Sequence, residues 1–177
     1  MILSDDKVSG TSTTFSVASL KAIPQDTGNT IELACEDSNV SNVIGLEHIL
    51  LTTLSLGENS IEDVSLLSTV STMMHLDLNT NLISGSISFS GQNLSYINVS
   101  ANVDLESVSL SATSSSLTTL YVTNTKIDNI LTLALPGLME HLSIGGQSST
   151  STSSLDDTNV LAVIESLTKL VELRISS

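Results

Sequence analysis

Cysteine occurs once in this sequence, as Cys35. A single thiol excludes an internal disulfide and any metal cluster built on cysteines. Cys35 falls on an apolar phase of the local pattern, which predicts a small core residue rather than a reactive thiol. Tryptophan is missing, and Phe and Tyr occur twice each. Leu, Ile, Val, Met and Ala must therefore build the core. Cations are scarce too: Lys and Arg number 5 against 19 Asp and Glu, a formal charge of −14. That balance argues against binding nucleic acid or an anionic membrane; it reads first as a soluble acidic surface, with a basic partner or a high-salt habitat as the alternatives. No apolar run is long enough to span a bilayer, and the opening MILSDDKVSG has no apolar leader core. Phosphate-loop, dinucleotide, HExxH and calcium-loop spacings do not occur; GLMEHLSIGG carries glycines at the wrong intervals. No cofactor is expected.

What is present is a folded chain's share of apolar residues, 40% of 177, enough for one domain with a real core. Their order is the signal. LTTLSLGENSIEDV, from Leu51 to Val64, alternates apolar and polar side chains and then turns at Asn59. That alternation predicts a short strand with one face buried. The same phrase recurs as IELACEDSNVSNV, MMHLDLNTNLI, LSYINVSANVDL, LTTLYVTNTKIDNI, MEHLSIGGQ and LVELRIS. Their marker residues are Leu33, Leu54, Leu76, Ile97, Leu120, Leu142 and Leu173, spaced by 21, 22, 21, 23, 22 and 31 positions.

The shared pattern LxxLxLxxNxL resembles the leucine-rich repeat over about residues 30–177, most closely in LTTLSLGENSI, MMHLDLNTNLI and LTTLYVTNTKI. IEDVSLLSTV is similar to the internalin-like or SDS22-like type, whose convex side holds short 3₁₀ turns. Thr30 stands at a leading leucine position, and Ser38, Thr125 and Gln147 stand at asparagine positions. The resemblance implies an α/β solenoid: a curved parallel sheet on the concave face, with short 3₁₀ or irregular segments on the convex side.

The physics agrees with the spacing. One unit cannot bury its own leucines, but stacked units bury them in a continuous spine. Seven strands at the usual spacing span about 29 Å. Asn59, Asn81 and Asn102 fall at the turns, where inward amides would satisfy backbone groups of neighbouring units. The return SLLSTVS suits a short helical or 3₁₀ turn, whereas SGSISFSGQ and SVSLSATS read as extended. The last return is longer. It holds the flexible run GGQSSTSTSS, then a helix near 157–167 on Val160, Leu161, Val163, Ile164 and Leu167, capped by Asp156 or Asp157. Residues 1–29 lack the repeat and predict an N-terminal arm or cap, with a small helix in FSVASLKAI ending near Pro24. LVELRISS closes on a strand, which predicts a fragment boundary or an end covered by another chain.

Strand side chains alternate between core and open face. The open set contains Thr53, Ser55, His75, Asp77, Tyr96, Asn98, Thr119, Tyr121, His141, Ser143, Glu172 and Arg174, including both tyrosines and two of three histidines. His75, Asp77, Tyr96, Asn98, Tyr121 and His141 form the expected partner-binding patch, since ring-plus-polar-tip residues suit wet interfaces. Ser55, His75 and Asp77 make a Ser-His-Asp list, but Cβ atoms two apart on a strand lie roughly 6–7 Å apart and no oxyanion device accompanies them. A metal site from His75, Asp77 and His141 fails on reach, three strand spacings being about 14 Å. Sequons at Asn39, Asn93 and Asn98 are expected by chance in a chain this rich in Asn and Ser. The expected function is non-catalytic protein–protein recognition through the concave face. The alternative is a self-assembling subunit of a surface layer or filament, associating end to end. Family resemblance implies a place outside the cell or on its surface, with adhesion among the uses.

Overall fold

The computed structural model describes residues 2–4, 31–89, 93–110, 116–127, 135, 137–146 and 164–176. Ten strands are seen among them: β1 (Ile2–Ser4), β2 (Ile31–Ala34), β3 (Leu51–Ser55), β4 (His75–Asp77), β5 (Ser84–Phe89), β6 (Tyr96–Asn98), β7 (Asp104–Leu110), β8 (Thr119–Tyr121), β9 (His141–Gly145) and β10 (Glu172–Ser176). Eight form one sheet in the order β1-β2-β3-β4-β6-β8-β9-β10, and every pairing is parallel. Chain order and spatial order coincide along the sheet, so each strand is one coil of a solenoid. This is the stacking that the periodicity predicts and the parallel solenoid that the resemblance to the leucine-rich repeat implies. The seven markers sit where the spacing puts them: Leu33, Leu54, Leu76, Ile97, Leu120 and Leu142 are directly opposite one another, and Leu173 follows Leu142.

β1 is an eighth strand that the spacing does not announce. Ile2–Ser4 pairs with Glu32–Ala34. Three residues carry too little alternation to read as a repeat, and the register is set by the partner strand instead. The remainder of the 1–29 arm, including FSVASLKAI, lies outside the described residues. So do residues 147–163, which hold most of GGQSSTSTSS and most of the expected helix; Gly145 ends β9, and residues 164–166 are helical.

Alternation along each strand builds the core as four apolar rows. Leu51, Met73, Leu94, Leu117 and Met139 form the first, and the marker leucines the second. Cys35, Leu56, Leu78, Val99, Val122 and Ile144 form the third, so Cys35 is a small core residue at a leucine position, 3% exposed. Val40, Ile61, Ile83, Leu105 and Ile127 form the fourth, just past each turn. All but Leu173, on the last strand of the sheet, are buried, and each fully buried aliphatic side chain contributes about 1.5–3 kcal/mol. No single coil could supply this; the rows exist only because coils stack.

The return paths close the other side. Leu46–His48 and Ser65–Thr69 are 3₁₀ turns that insert Leu46 and Leu67 into the core. β5 and β7 are extended and pair with each other in parallel, with Ile87 opposite Val108 facing inward. A serine hydroxyl of β7, Ser107 Oγ, donates to Ser86 Oγ across the pair at 2.8 Å. Beta-branched and serine-rich returns thus became strands, and the leucine-rich return became a 3₁₀ turn.

Turn chemistry repeats with the same period. Asn59 Nδ2 donates to Cys35 O, Leu56 O and Gly57 O at 2.8, 3.0 and 2.9 Å. Asn81 Nδ2 reaches Leu56 O at 2.9 Å and Leu78 O at 3.1 Å. Asn102 Nδ2 reaches Leu78 O at 3.0 Å and Val99 O at 2.9 Å. Each amide therefore clamps its own turn to the preceding coil. Each Oδ1 accepts from that coil as well: from Ser38 N and Val40 N, from Ile61 N, and from Ile83 N. Thr125 holds its own turn in a similar way, its hydroxyl donating to Val122 O and accepting from Ile127 N.

One residue before each ladder position is left-handed. Asp37, Glu58, Thr80, Ala101 and Asn124 have φ between 48° and 58°, and Gly146 has φ 59°. Their N–H groups, from Asp37 to Asn124, donate to the next coil at Gly57 O, Asn79 O, Ser100 O, Thr123 O and Gly145 O. The left-handed turn prolongs the sheet's hydrogen bonding past the strand ends, which offsets its steric cost.

Candidate functional site

Parallel, in-register pairing arranges the open side of the sheet in straight rows. The first row runs Glu32, Thr53, His75, Tyr96, Thr119, His141, Glu172; the second runs Ala34, Ser55, Asp77, Asn98, Tyr121, Ser143, Arg174. Each is one strand spacing from the next, about 4.8 Å.

At that spacing, flat side chains in neighbouring positions stack. His75 and Tyr96 lie face to face, with centroids 4.1 Å apart and planes 5° from parallel. Tyr121, on the following strand but in the second row, meets Tyr96 edge-on at 5.7 Å and 85°. The three rings form one continuous cluster across β4, β6 and β8, each partly exposed.

Polar neighbours flank this cluster and bond to one another. Asp77 Oδ1 accepts from Asn79 N at 3.0 Å and Asn79 Nδ2 at 2.7 Å; Asp77 Oδ2 accepts from Asn98 Nδ2 at 3.2 Å. Asn98 Oδ1 in turn accepts from Ser100 N at 3.2 Å. Burial pushes the Tyr96 hydroxyl up to about 12, with the Asp77 charge and Tyr121 adding to the rise. Tyr96 is therefore a neutral phenol at any physiological pH.

Of the six residues expected to form a patch, five come together: His75, Tyr96 and Tyr121 by ring contact, Asp77 and Asn98 by hydrogen bonding. His141 stands apart. Its Nδ1 is 3.3 Å from Glu172 Oε2, and Glu172 Oε1 accepts from Arg174 Nε at 2.7 Å. The Arg174 hydrogen bond, with His141 second, holds the Glu172 carboxyl below the usual carboxylate range. This second cluster joins β9 to β10. Pattern reading placed Glu172 and Arg174 on the open face but did not connect them to His141, because the step from β9 to β10 departs from the regular period.

The Ser-His-Asp list is not wired as a proton relay. Ser55 Oγ donates to Glu36 Oε1 at 3.2 Å, His75 is stacked on Tyr96, and Asp77 is committed to Asn79 and Asn98. No group of three His, Cys, Asp or Glu among the described residues converges on a metal position. No helix among them is long and apolar enough to cross a membrane. Asn98 is engaged on the sheet and Asn93 is exposed beside it.

The chain is similar, over 91% of its length and 84% of the neighbour's, to the crystal structure of an internalin C2 from Listeria monocytogenes strain 4b F2365, with 19% identity and a TM-score of 0.33. No family model matches the chain. No curated protein matches it either. The fold is established by the strand order and the buried rows described above.

Proposed function

We propose that this solenoid is a non-catalytic recognition module of the internalin-like or SDS22-like kind, and that it binds a protein partner through the open, concave side of its sheet. The observation that carries the reading is the His75–Tyr96–Tyr121 cluster. It places three rings in contact on a surface otherwise lined with polar and charged side chains. Rigid aromatic groups with polar tips supply contact area at little entropic cost, which is what interface anchors require. Asp77, Asn98 and His141 lie on the same face and extend the polar rim.

The test is a double substitution, Tyr96→Ala with Tyr121→Ala. Binders would be selected on the immobilised wild-type chain from a display library of small protein domains. The double variant should lose about tenfold or more in affinity, as central aromatic anchors do. Retained affinity across independent binders would refute recognition through this face.

A second reading rests on β10. Leu142 and Ile144 in β9 are 1% and 4% exposed, whereas Leu173 and Ile175, in register beside them, are 36% and 50% exposed. An uncovered apolar row on a strand edge is adhesive. It favours end-to-end association of solenoids, as in a layer or filament. Light scattering over a concentration series tests this, with Ile175→Lys expected to abolish any growth in mass. A wild-type chain of constant monomeric mass throughout would remove the idea.

A further inference from the structure

Charge on this molecule is unevenly placed. Residues 22–125 contain eleven Asp and Glu and no Lys or Arg. Part of that charge lies on the sheet's open side. Glu32 and Glu36 are exposed there, Glu32 in the same row as His75 and Tyr96, two strands from His75 at roughly 10 Å. Asp77 sits within the aromatic cluster itself. Glu172 flanks the other side, two strands beyond Tyr121's strand. Arg174 is the sole Lys or Arg among the described outward positions of the sheet strands, and it is spent on Glu172 at 2.7 Å. Lys126 belongs to the turn side, where it pairs with Asp104 at 3.1 Å. Glu172 is thus already paired, but Glu32, Glu36 and Asp77 leave the three rings in a field of negative charge that no Lys or Arg of the sheet face offsets.

From this we infer that the partner of the sheet face is a cationic protein segment, one presenting Arg or Lys side chains to the His75–Tyr96–Tyr121 cluster between the flanking carboxylates. The inference rests on the recognition reading above and specifies the partner's chemistry. Two complementarities act together. Guanidinium and ammonium groups are attracted to aromatic faces. The same groups are drawn in by Glu32 and Glu36, and by the wider acidic surface that raises encounter rates. A polyanionic partner would meet repulsion at every step, and a wholly neutral one would leave the flanking carboxylates unused.

The experiment uses the full chain and a fluorescently labelled hexa-arginine peptide, at about 0.05 M ionic strength, where screening reaches beyond 10 Å. Three variants accompany the wild type. Glu32→Gln with Glu36→Gln removes two charges from the sheet face. Glu62→Gln with Asp63→Asn removes two exposed charges from the return path. Tyr121→Leu removes a ring and keeps the charge. The face pair should weaken binding about tenfold and the return-path pair less than about twofold, since only the first lies within a screening length of the docked cations. Tyr121→Leu should cost about three- to fivefold, the size of an exposed cation–π contact. Equal losses from the two charge pairs would overturn the inference, because attraction would then be diffuse. So would an unchanged Tyr121→Leu affinity, absence of hexa-arginine binding, or a hexa-glutamate peptide binding as well. If display-selected binders depend on Tyr96 and Tyr121 while hexa-arginine ignores Glu32 and Glu36, recognition by the face stands and the cationic class falls. If the selected binders also ignore the tyrosines, both fall.

Discussion

His75 and Tyr96 sit directly opposite each other on β4 and β6, their rings parallel and 4.1 Å apart. Register alone produces the contact. In a parallel ladder like positions face each other at one strand spacing, so two flat side chains in one row have little choice but to stack. The pair costs little further entropy on binding, because ring packing on both sides of Tyr96 already holds it. Tyr96 is the centre of the cluster, touching His75 on one side and Tyr121 on the other.

The state of that central phenol can be measured. Burial first, then the Asp77 charge and Tyr121, push the Tyr96 hydroxyl up to about 12. A folded value above the unfolded one means that the fold favours the protonated form. Its contribution is complete below the ordinary tyrosine value near 10 and is lost as pH rises from there to about 12. Tyr121→Phe leaves Tyr96 as the one phenol, since the chain has two tyrosines. Phenolate absorbance in that variant should develop well above pH 10, and adding Asp77→Asn should move the midpoint down while burial keeps part of the rise. An ordinary midpoint in the single variant would contradict the buried, Asp77-linked phenol.

The asparagine ladder makes a sharper claim about stability. Asn102 is wholly buried, its amide donating to Leu78 O and Val99 O while Oδ1 accepts from Ile83 N. Asn102→Ala strands Ile83 N and removes a donor from Val99 O, and should cost about 2–4 kcal/mol. Asn102→Asp keeps the shape but offers no donor to those carbonyls at neutral pH, so its loss should be larger still. That deficit should shrink on acidification relative to wild type at the same pH, as the carboxyl regains a proton. Asn42→Ala, which removes an exposed bond to Ile44 N, should stay within about 0.5 kcal/mol. Denaturant midpoints rank the three, and near-equal values would refute the ladder.

Position along the solenoid should grade the leucines. Leu120 and Leu173 occupy equivalent places in the repeat, yet Leu120 is 0% exposed and Leu173 is 36% exposed. Leu120→Ala leaves a cavity with coils packed on both sides and should cost about 2–5 kcal/mol. Leu173→Ala gives up a half-covered side chain at the edge and should cost less than half as much. Urea unfolding of the two variants provides the comparison; similar losses would mean that β10 is covered in solution.

Much of this architecture was legible because the chain repeats its physics. Leu33 to Leu142 declared a period, alternation declared which side chains face inward, and Asn59, Asn81 and Asn102 declared the turns. The patch was legible to the same depth: parity put His75, Tyr96 and Tyr121 on one face, and register brought them into contact. What stayed hidden has identifiable causes. Ile2–Ser4 carries too few residues to show a period. The His141–Glu172 contact crosses the one irregular step, so no spacing points to it. The left-handed row was hidden because Asp37, Glu58, Thr80, Ala101 and Asn124 share no side-chain type; backbone hydrogen bonding selects the conformation.

That hidden row yields a prediction of opposite sign to the usual one for glycine. Ala101 has φ 58°, and its N–H is held by Thr123 O at 2.8 Å. A Cβ in this region costs about 1–2 kcal/mol through its contact with the following carbonyl. Glycine relieves that cost and loses about 0.5–1 kcal/mol through the entropy of the unfolded chain. Ala101→Gly should therefore stabilise by about 0.5–1 kcal/mol, the balance of the two. Ala34→Gly is the matched control, since Ala34 lies in strand β2 and relieves nothing; it should destabilise by about 0.5–1 kcal/mol. Ala101→Val adds branching at a left-handed position and should be worse than either. Thermal unfolding of the three variants gives the order directly. If Ala101→Gly falls with Ala34→Gly, the turns are not held left-handed in solution, and the bonds carrying the sheet past its strand ends would have to be assigned differently.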